Sequence, residues 1–275
     1  GWNQIGHPFL QAVPVNTLSV STDPTDPEKA IPLATAVSRG LVSGTFWAYT
    51  QQAGYTPAQS LEPWLGYWVK AETNLLLKVP AVASPGQNPP AALLPGDPVV
   101  GDVRSAALAS DATADGWRLQ LQARVGNTAG SVLVGTSRAA TDGFDALHDA
   151  QRPPDLEQYV RLAVQHPEWG RAAGDYAIDI RSEGPLVQAW EILLDTSERN
   201  RDVHLSWQGL SSLPRDVRLF LADLDGGQRC YLRTSSGLVI NSGETGRRRL
   251  RLEARRGPAG ALMISNIVVP PRAAP

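Results

Sequence analysis

One stretch, Trp117-Arg-Leu-Gln-Leu-Gln-Ala-Arg-Val125, alternates apolar and polar side chains along its whole length. Successive side chains of a strand point to opposite faces, so this pattern predicts a strand with one buried and one solvated face. The same alternation recurs at Val203–Trp207 and at 249–255, where arginine fills most of the polar positions. These stretches predict an all-β fold, an antiparallel Ig-like or jelly-roll-like β-sandwich.

Shorter apolar stretches on either side are separated by Gly, Asn, Asp and Pro turn signals. Strands do not alternate with helices, which argues against a doubly wound α/β fold. The further predicted strands are Val132–Val134, Tyr176–Ile180, Val187–Leu194, Val217–Leu221, Cys230–Arg233 and Ala261–Val269. The side chains predicted to face the core are Trp117, Leu119, Leu121, Trp190, Val203, Leu205, Trp207, Leu219, Leu250 and Leu252.

The first 80 residues are richer in aromatic side chains and predict a smaller β-rich domain. A short helix is expected within Asp26–Arg39, capped by Asp26, begun by Pro27 and limited by Pro32. The expected strands are Leu18–Ser21, Gly44–Thr50, Gly66–Ala71 and Leu75–Val79.

Five prolines crowd the segment 81–98, AVASPGQNPPAALLPGDP. Proline fixes φ and biases the preceding residue towards extended structure, so this segment is interpreted as a semi-rigid linker. The sequence thus predicts a domain at 1–80, a linker at 81–98 and a sandwich at 99–275. The alternative is a long ordered strap across a single domain.

Composition excludes several functional classes. The formal net charge of −2 argues against a general nucleic-acid binder, since such proteins usually carry a clear basic excess. No run of about 18 apolar residues exists, so no transmembrane span is expected. The single cysteine, Cys230, excludes an internal disulfide. Zinc-type histidine spacings and nucleophile-elbow, dinucleotide and phosphate-loop motifs are also absent from the sequence.

Two groups of motifs resemble known modules. Gly1-Trp-Asn-Gln-Ile-Gly-His-Pro-Phe9 and, later, Gly66-Tyr-Trp-Val-Lys-Ala71 resemble the "GWNLIGNPF … GYWVKA" pair of secreted, surface-anchored multidomain proteins of bacteria and archaea. The pattern departs at His7, where the family usually has Asn. This departure puts a side-chain cap in the first turn in doubt.

The second group is Val134-Gly-Thr-Ser-Arg-Ala-Ala-Thr-Asp-Gly-Phe-Asp-Ala-Leu-His-Asp149 followed by Arg152-Pro-Pro154, which is similar to a "GATDGFDxxxDxPxPP" motif of β-sandwich modules in such proteins. The resemblance implies an extracellular or cell-surface location and a role without catalysis. The expected function is a structural module, a surface-protein component or a subunit of an extracellular filament.

The carboxylates Asp142, Asp145 and Asp149 lie close together beside a glycine. Calcium prefers several oxygen ligands on a flexible loop, so these residues form a candidate calcium site. The competing interpretation is that each aspartate caps a turn through nearby backbone N–H groups. No other cofactor is expected.

Arginines cluster at Arg247–Arg249, Arg251, Arg255 and Arg256. They could bind an anionic polysaccharide. A solvated strand face that resists edge pairing explains the same residues and is preferred.

Aromatic residues of the first domain could contact a carbohydrate or a protein partner, and the candidates are Trp47, Tyr49, Trp64 and Trp68. Core or interdomain packing explains the same residues and is preferred. The alternative function is therefore a carbohydrate-binding or adhesion module of a secreted enzyme. A flat exposed pair of Trp64 and Trp68 favours it, and burial of Trp64 and Trp68 favours the structural module.

The segment Ala261–Val269 is apolar and strand-prone, and its candidate assembly residues are Ile264, Ile267, Val268 and Val269. Such a strand must be covered, either inside its own sandwich or by pairing with another copy. The expected partners are accordingly proteins, including copies of this chain or other domains of a surface protein.

Overall fold

The computed structural model describes residues 1–23, 25–80 and 116–257. Strand accounts for 51% of it and helix for almost none, so the all-β prediction is confirmed. The predicted linker 81–98, the start of the predicted sandwich at 99 and the segment Ala261–Val269 lie wholly or largely outside the described residues.

Residues 1–80 form three small sheets, with strand orders β1-β8-β5-β6, β2-β7 and β4-β3-β9. The strands are β1 Trp2–Gly6, β2 Val13–Pro14, β3 Ser19–Ser21, β4 Ile31–Pro32, β5 Phe46–Thr50, β6 Gly54–Ala58, β7 Ser60–Leu61, β8 Gly66–Lys70 and β9 Leu76–Lys78. Strands β1 and β8 pair antiparallel, with Trp2 opposite Lys70, so the two halves of the first sequence motif are neighbours.

The helix predicted within Asp26–Arg39 is shorter than expected. A 3₁₀ turn, Pro27–Lys29, is capped by the Asp26 carboxylate, which accepts the Glu28 N–H at 3.1 Å. Strand β4 then interrupts the segment, and the α-helix α1 covers Leu33–Ser38. Pro32, the last residue of β4, immediately precedes α1. Among the described residues, no helix is long and apolar enough to cross a membrane.

Residues 116–257 build one large, nearly closed, barrel-like sheet. Its strand order is β18-β17-β20-β15-β13-β14-β11-β10-β16-β19, with β12 also paired to β14. The strands are β10 Trp117–Val125, β11 Thr128–Ser137, β12 Ala150–Gln151, β13 Val160–His166, β14 Gly174–Ser182, β15 Val187–Thr196, β16 Asp202–Gln208, β17 Val217–Asp223, β18 Arg229–Tyr231, β19 Leu238–Asn241 and β20 Arg247–Arg256.

The sheet departs from the expected antiparallel arrangement at one place. Strands β11 and β14 pair in parallel, with Leu133 opposite Ile178, whereas the other pairs of this sheet are antiparallel. Parallel neighbours need a long connection, and here residues 138–173 provide it. This connection contains β12 and β13, which the sequence did not reveal as strands.

A single apolar core fills the interior of the large sheet, and the predicted strand phase is confirmed. Nine of the ten residues predicted to face the core are buried. The tenth, Trp207, is half-buried against the same cluster and donates its indole N–H to the Leu232 carbonyl at 3.1 Å. Further core side chains come from β13, namely Val160, Leu162 and Val164.

Candidate functional site

The three aspartates of the candidate calcium site serve the loop between β11 and β12. Asp142 accepts the Ser182 N–H at 3.2 Å and its hydroxyl at 2.7 Å. Asp145 accepts the Leu147 N–H at 3.2 Å, and Asp149 accepts the Asp145 N–H at 2.7 Å and the Ile180 N–H at 3.1 Å. These bonds fold the loop and tie it to β14.

The calcium interpretation of Asp142, Asp145 and Asp149 stays a prediction. Within the described ranges, no three His, Cys, Asp or Glu side chains are gathered closely enough to hold a metal ion. The carboxylates instead bond separate backbone N–H groups, which is the turn role that aspartate commonly has.

Asp149 lies between residues 1–80 and the large sheet. It borders two cavities, of about 620 Å³ and about 460 Å³, which share Val37, Ala146 and Asp149 in their walls. Burial raises the pKa of the Asp149 carboxyl to about 7, against the opposing effect of its two backbone hydrogen bonds. A carboxyl that is partly protonated near neutral pH therefore sits in this cleft.

A buried histidine forms a second polar cluster. The His166 Nε2 lies 2.8 Å from an Asp179 oxygen, and its Nδ1 lies 2.7 Å from a Glu168 oxygen. The ring stacks on Trp169 with centroids 3.5 Å apart. Burial alone lowers the pKa of His166, but the hydrogen bonds to Asp179 and Glu168 outweigh it and raise the pKa.

The sequence did not single out this cluster, because its members lie on different strands. Asp179 also pairs with Arg181 at 3.0 Å. Burial raises the pKa of Asp179, but its hydrogen bonds to His166 and Arg181 lower it more strongly. Both ring nitrogens of His166 and the Asp179 carboxylate are thus engaged within the protein, and the cluster joins β13 to β14.

The arginine cluster is paired along the sheet surface. Arg247 reaches Asp195 at 3.0 Å, Arg249 reaches Asp225 at 2.8 Å, and the Arg248 guanidinium donates to the Asn241 carbonyl at 2.6 Å. The other three arginines also have carboxylate partners: Arg251 pairs with Glu191, Arg255 with Glu253 and Arg256 with Glu183. This arrangement fits the solvated strand face.

The four candidate aromatic residues have different surroundings. Trp47 is 2% exposed and forms a small cluster with Tyr55, Ala150 and Ala177. Tyr49 and Trp68 are half-buried against the same cluster. Because this cluster joins residues 1–80 to the large sheet, Trp47 is a packing residue and not an exposed sugar platform.

Trp64 is the exception, with 70% of its surface exposed. It has φ = 63°, a left-handed conformation that is rare for non-glycine residues. Phe9, Leu10 and Leu65 are also exposed. A hollow of about 540 Å³ lies here, formed by residues 4–8 and 64–66. Phe9 and Leu10 were not selected from the sequence, since isolated apolar residues in a turn carry no periodic signal.

The candidate assembly residues Ile264, Ile267, Val268 and Val269 lie outside the described residues. The described sheet itself has two outer strands, β18 and β19. Four half-buried apolar residues pack against the core from these strands and from the end of β16: Trp207, Leu210, Cys230 and Leu238. Partly exposed apolar side chains that pack on the core therefore lie on both outer strands. No family model, curated protein or solved structure matches this chain.

Proposed function

We propose that this chain is a structural module, without catalytic activity, of an extracellular or cell-surface protein, and that it acts by associating with other proteins, including copies of itself. The observation that carries the proposal is the pair of outer strands, β18 and β19, beside a partly covered core. Outer strands present unpaired backbone N–H and C=O groups, which are templates for pairing with another chain.

The titratable clusters support a role without catalysis. His166 and Asp179 are buried and bonded to each other, and the aspartates of the 142–149 loop bond backbone N–H groups. The exposed arginines form ion pairs along the sheet. The resemblance to surface-protein modules supports the extracellular location.

The finer fold assignment, an Ig-like or jelly-roll-like sandwich, also belongs to this proposal. Trp117 of β10 contacts Trp190 of β15 edge to face, with ring centroids 5.5 Å apart. Three strands separate β10 from β15 within the sheet. A contact between them therefore crosses the interior, as expected when two layers of a folded sheet face each other.

A lysine on the outer strand tests the association. Val239 lies on β19 and is 46% exposed. Val239→Lys places a charge on this strand and should weaken self-association at least tenfold, because charged side chains discourage edge pairing. Sedimentation velocity over a range of protein concentrations measures the effect.

Val187→Lys is the matched control. Val187 is 54% exposed, but it lies on β15, opposite Arg255 of β20, and not on either outer strand. This variant should associate like the unmodified protein. A chain that stays monomeric at every concentration, or equal effects of the two variants, contradicts the proposal.

The alternative function, a carbohydrate-binding or adhesion module, draws support from one place, the turn that carries Trp64. The other three aromatic candidates pack against the cluster between residues 1–80 and the large sheet.

A further inference from the structure

The turn Glu62–Leu65 holds a tryptophan where glycine is the usual residue. Pro63 occupies the second position, Trp64 the third with φ = 63°, and the Leu65 N–H donates to the Glu62 carbonyl at 3.3 Å. These features are typical of a type II turn, whose third residue needs positive φ and is normally Gly or Asn. A bulky residue there is strained, and such strain is concentrated at functional sites.

Burial does not explain why a tryptophan occupies this position, because most of its side chain is exposed. The backbone around it is nevertheless fixed. The Trp64 N–H donates to the His7 carbonyl at 2.8 Å, and the His7 N–H donates to the Leu65 carbonyl at 3.0 Å. A fixed backbone reduces the conformational entropy that the turn loses when a ligand binds to it.

The hollow beside Trp64 is formed by residues 4–8 and 64–66. These residues include no Asp, Glu, Lys or Arg. A charged ligand would find no opposite charge among the side chains of the hollow, so the site is suited to a neutral one.

His7 lies in the wall of the same hollow, with 2% of its surface exposed. Its Nε2 lies 2.7 Å from the Gln11 carbonyl oxygen. A carbonyl can only accept, so Nε2 carries the proton and Nδ1 is left as an acceptor. The Nδ1 is buried and has no hydrogen-bond partner among the residues that the structure describes. Because this atom has no exposed surface, a ligand in the hollow does not reach it, and the His7 ring instead holds the backbone of residues 7–11 beside the turn.

We infer that this hollow binds a sugar unit of a neutral polysaccharide. The apolar C–H face of the ring would stack on the Trp64 indole, with Leu65 extending the apolar surface. Gln4 at the rim offers an amide to a ring hydroxyl. The site is separate from the outer strands β18 and β19, so either proposal can fail without the other.

Affinity electrophoresis of the full chain tests this inference. Native gels contain laminarin, xyloglucan, galactomannan or soluble starch, and gels with alginate test an acidic polymer. At least one neutral polysaccharide should retard the unmodified protein. Trp64→Gly should weaken this binding at least tenfold.

Trp64→Gly is expected to fold, because glycine adopts positive φ without strain. Its melting temperature should equal or exceed that of the unmodified protein, and Gln4→Ala offers a second, milder change at the rim. Leu186→Ala is the matched control, since Leu186 is 72% exposed and lies away from the hollow. It should bind normally.

Four results would overturn the inference. One is that none of the neutral polysaccharides retards the protein, and another is that alginate alone does. The third is unchanged binding by Trp64→Gly. The fourth is a lowered melting temperature of that variant, which would show that the tryptophan is kept for stability.

Discussion

Asp149 is the residue whose ionisation should most affect stability. Its pKa is raised by burial from 3.8 to about 7, so the folded protein holds this proton more tightly than the unfolded chain does. The stabilising contribution of the neutral carboxyl is complete below pH 4 and is lost as the pH rises through about 7. The largest slope for one such group is about 1.4 kcal/mol per pH unit.

Urea unfolding at pH 5 and pH 7 measures this dependence. Relative to Asp149→Asn, the unmodified protein should lose about 2 kcal/mol of unfolding free energy between these two pH values. Asparagine keeps one acceptor oxygen, so Asp145 or Ile180 loses a bond and the variant is less stable overall. The relevant quantity is how the difference in unfolding free energy between the two proteins changes with pH. A difference that is the same at pH 5 and pH 7 would refute the burial of an ionisable group.

For Asp142, Asp145 and Asp149 the sequence allowed two interpretations, a calcium site and a role in capping turns. Asp149 needs the Ile180 N–H, 31 positions away, and such a distant partner has no sequence signal. The same holds for His166 and Asp179. The turn that contains Trp64 had a local sequence signal. Pro63 precedes Trp64 and Gly66 follows two residues later, and both residue types are typical of turns.

Strands were predictable wherever one face is buried and the other solvated. Strand β10 was predicted with its observed bounds, Trp117–Val125, because its burial alternates strictly. Strand β13 was missed because buried residues occupy consecutive positions, Leu162, Ala163 and Val164, which removes the period of two. Strand pairing was harder to predict from the sequence than strand position. The parallel pairing of β11 with β14 depends on the path of the long connection 138–173.

The close contact between β6 and β11 can be tested by substitution of a glycine. Gly54, at the start of β6, has φ = 72°, and an added Cβ would lie 2.4 Å from the Ala129 carbonyl oxygen of β11. Gly54→Ala should therefore combine backbone strain with a clash and cost about 3 kcal/mol of unfolding free energy. Thermal or urea unfolding measures the loss.

Gly126→Ala separates the two contributions. Gly126 also has positive φ, 55°, but an added Cβ there would have nothing within 4 Å. This variant should lose only about 1 kcal/mol, the cost of the backbone conformation. Equal losses for both alanines would mean that β6 does not pack closely on β11.

The whole molecule should unfold as one unit over its described parts. The cluster of Trp47, Tyr55, Ala150 and Ala177 joins residues 1–80 to the large sheet. Hydrogen bonds reinforce it, from the Tyr55 hydroxyl to the Pro154 carbonyl at 2.9 Å and from Arg124 to the Gln52 carbonyl at 2.8 Å. Shared packing of this kind couples the stability of the two parts.

Differential scanning calorimetry should accordingly show one transition for the unmodified protein. Trp47→Ala removes the largest side chain of the cluster and should cost about 3–5 kcal/mol, as large-to-small core substitutions do. It should also separate the melting of residues 1–80 from that of the large sheet. Two resolved transitions in the unmodified protein would show that the parts are independent.

The position of β20 has a consequence for synthesis. This strand follows every other described strand in the chain, yet it lies inside the sheet, between β15 and β17. A nascent chain that has completed β10 to β19 still lacks the strand that joins β17 and β18 to the rest of the sheet. The large sheet can therefore be completed only after Arg256 has left the ribosome.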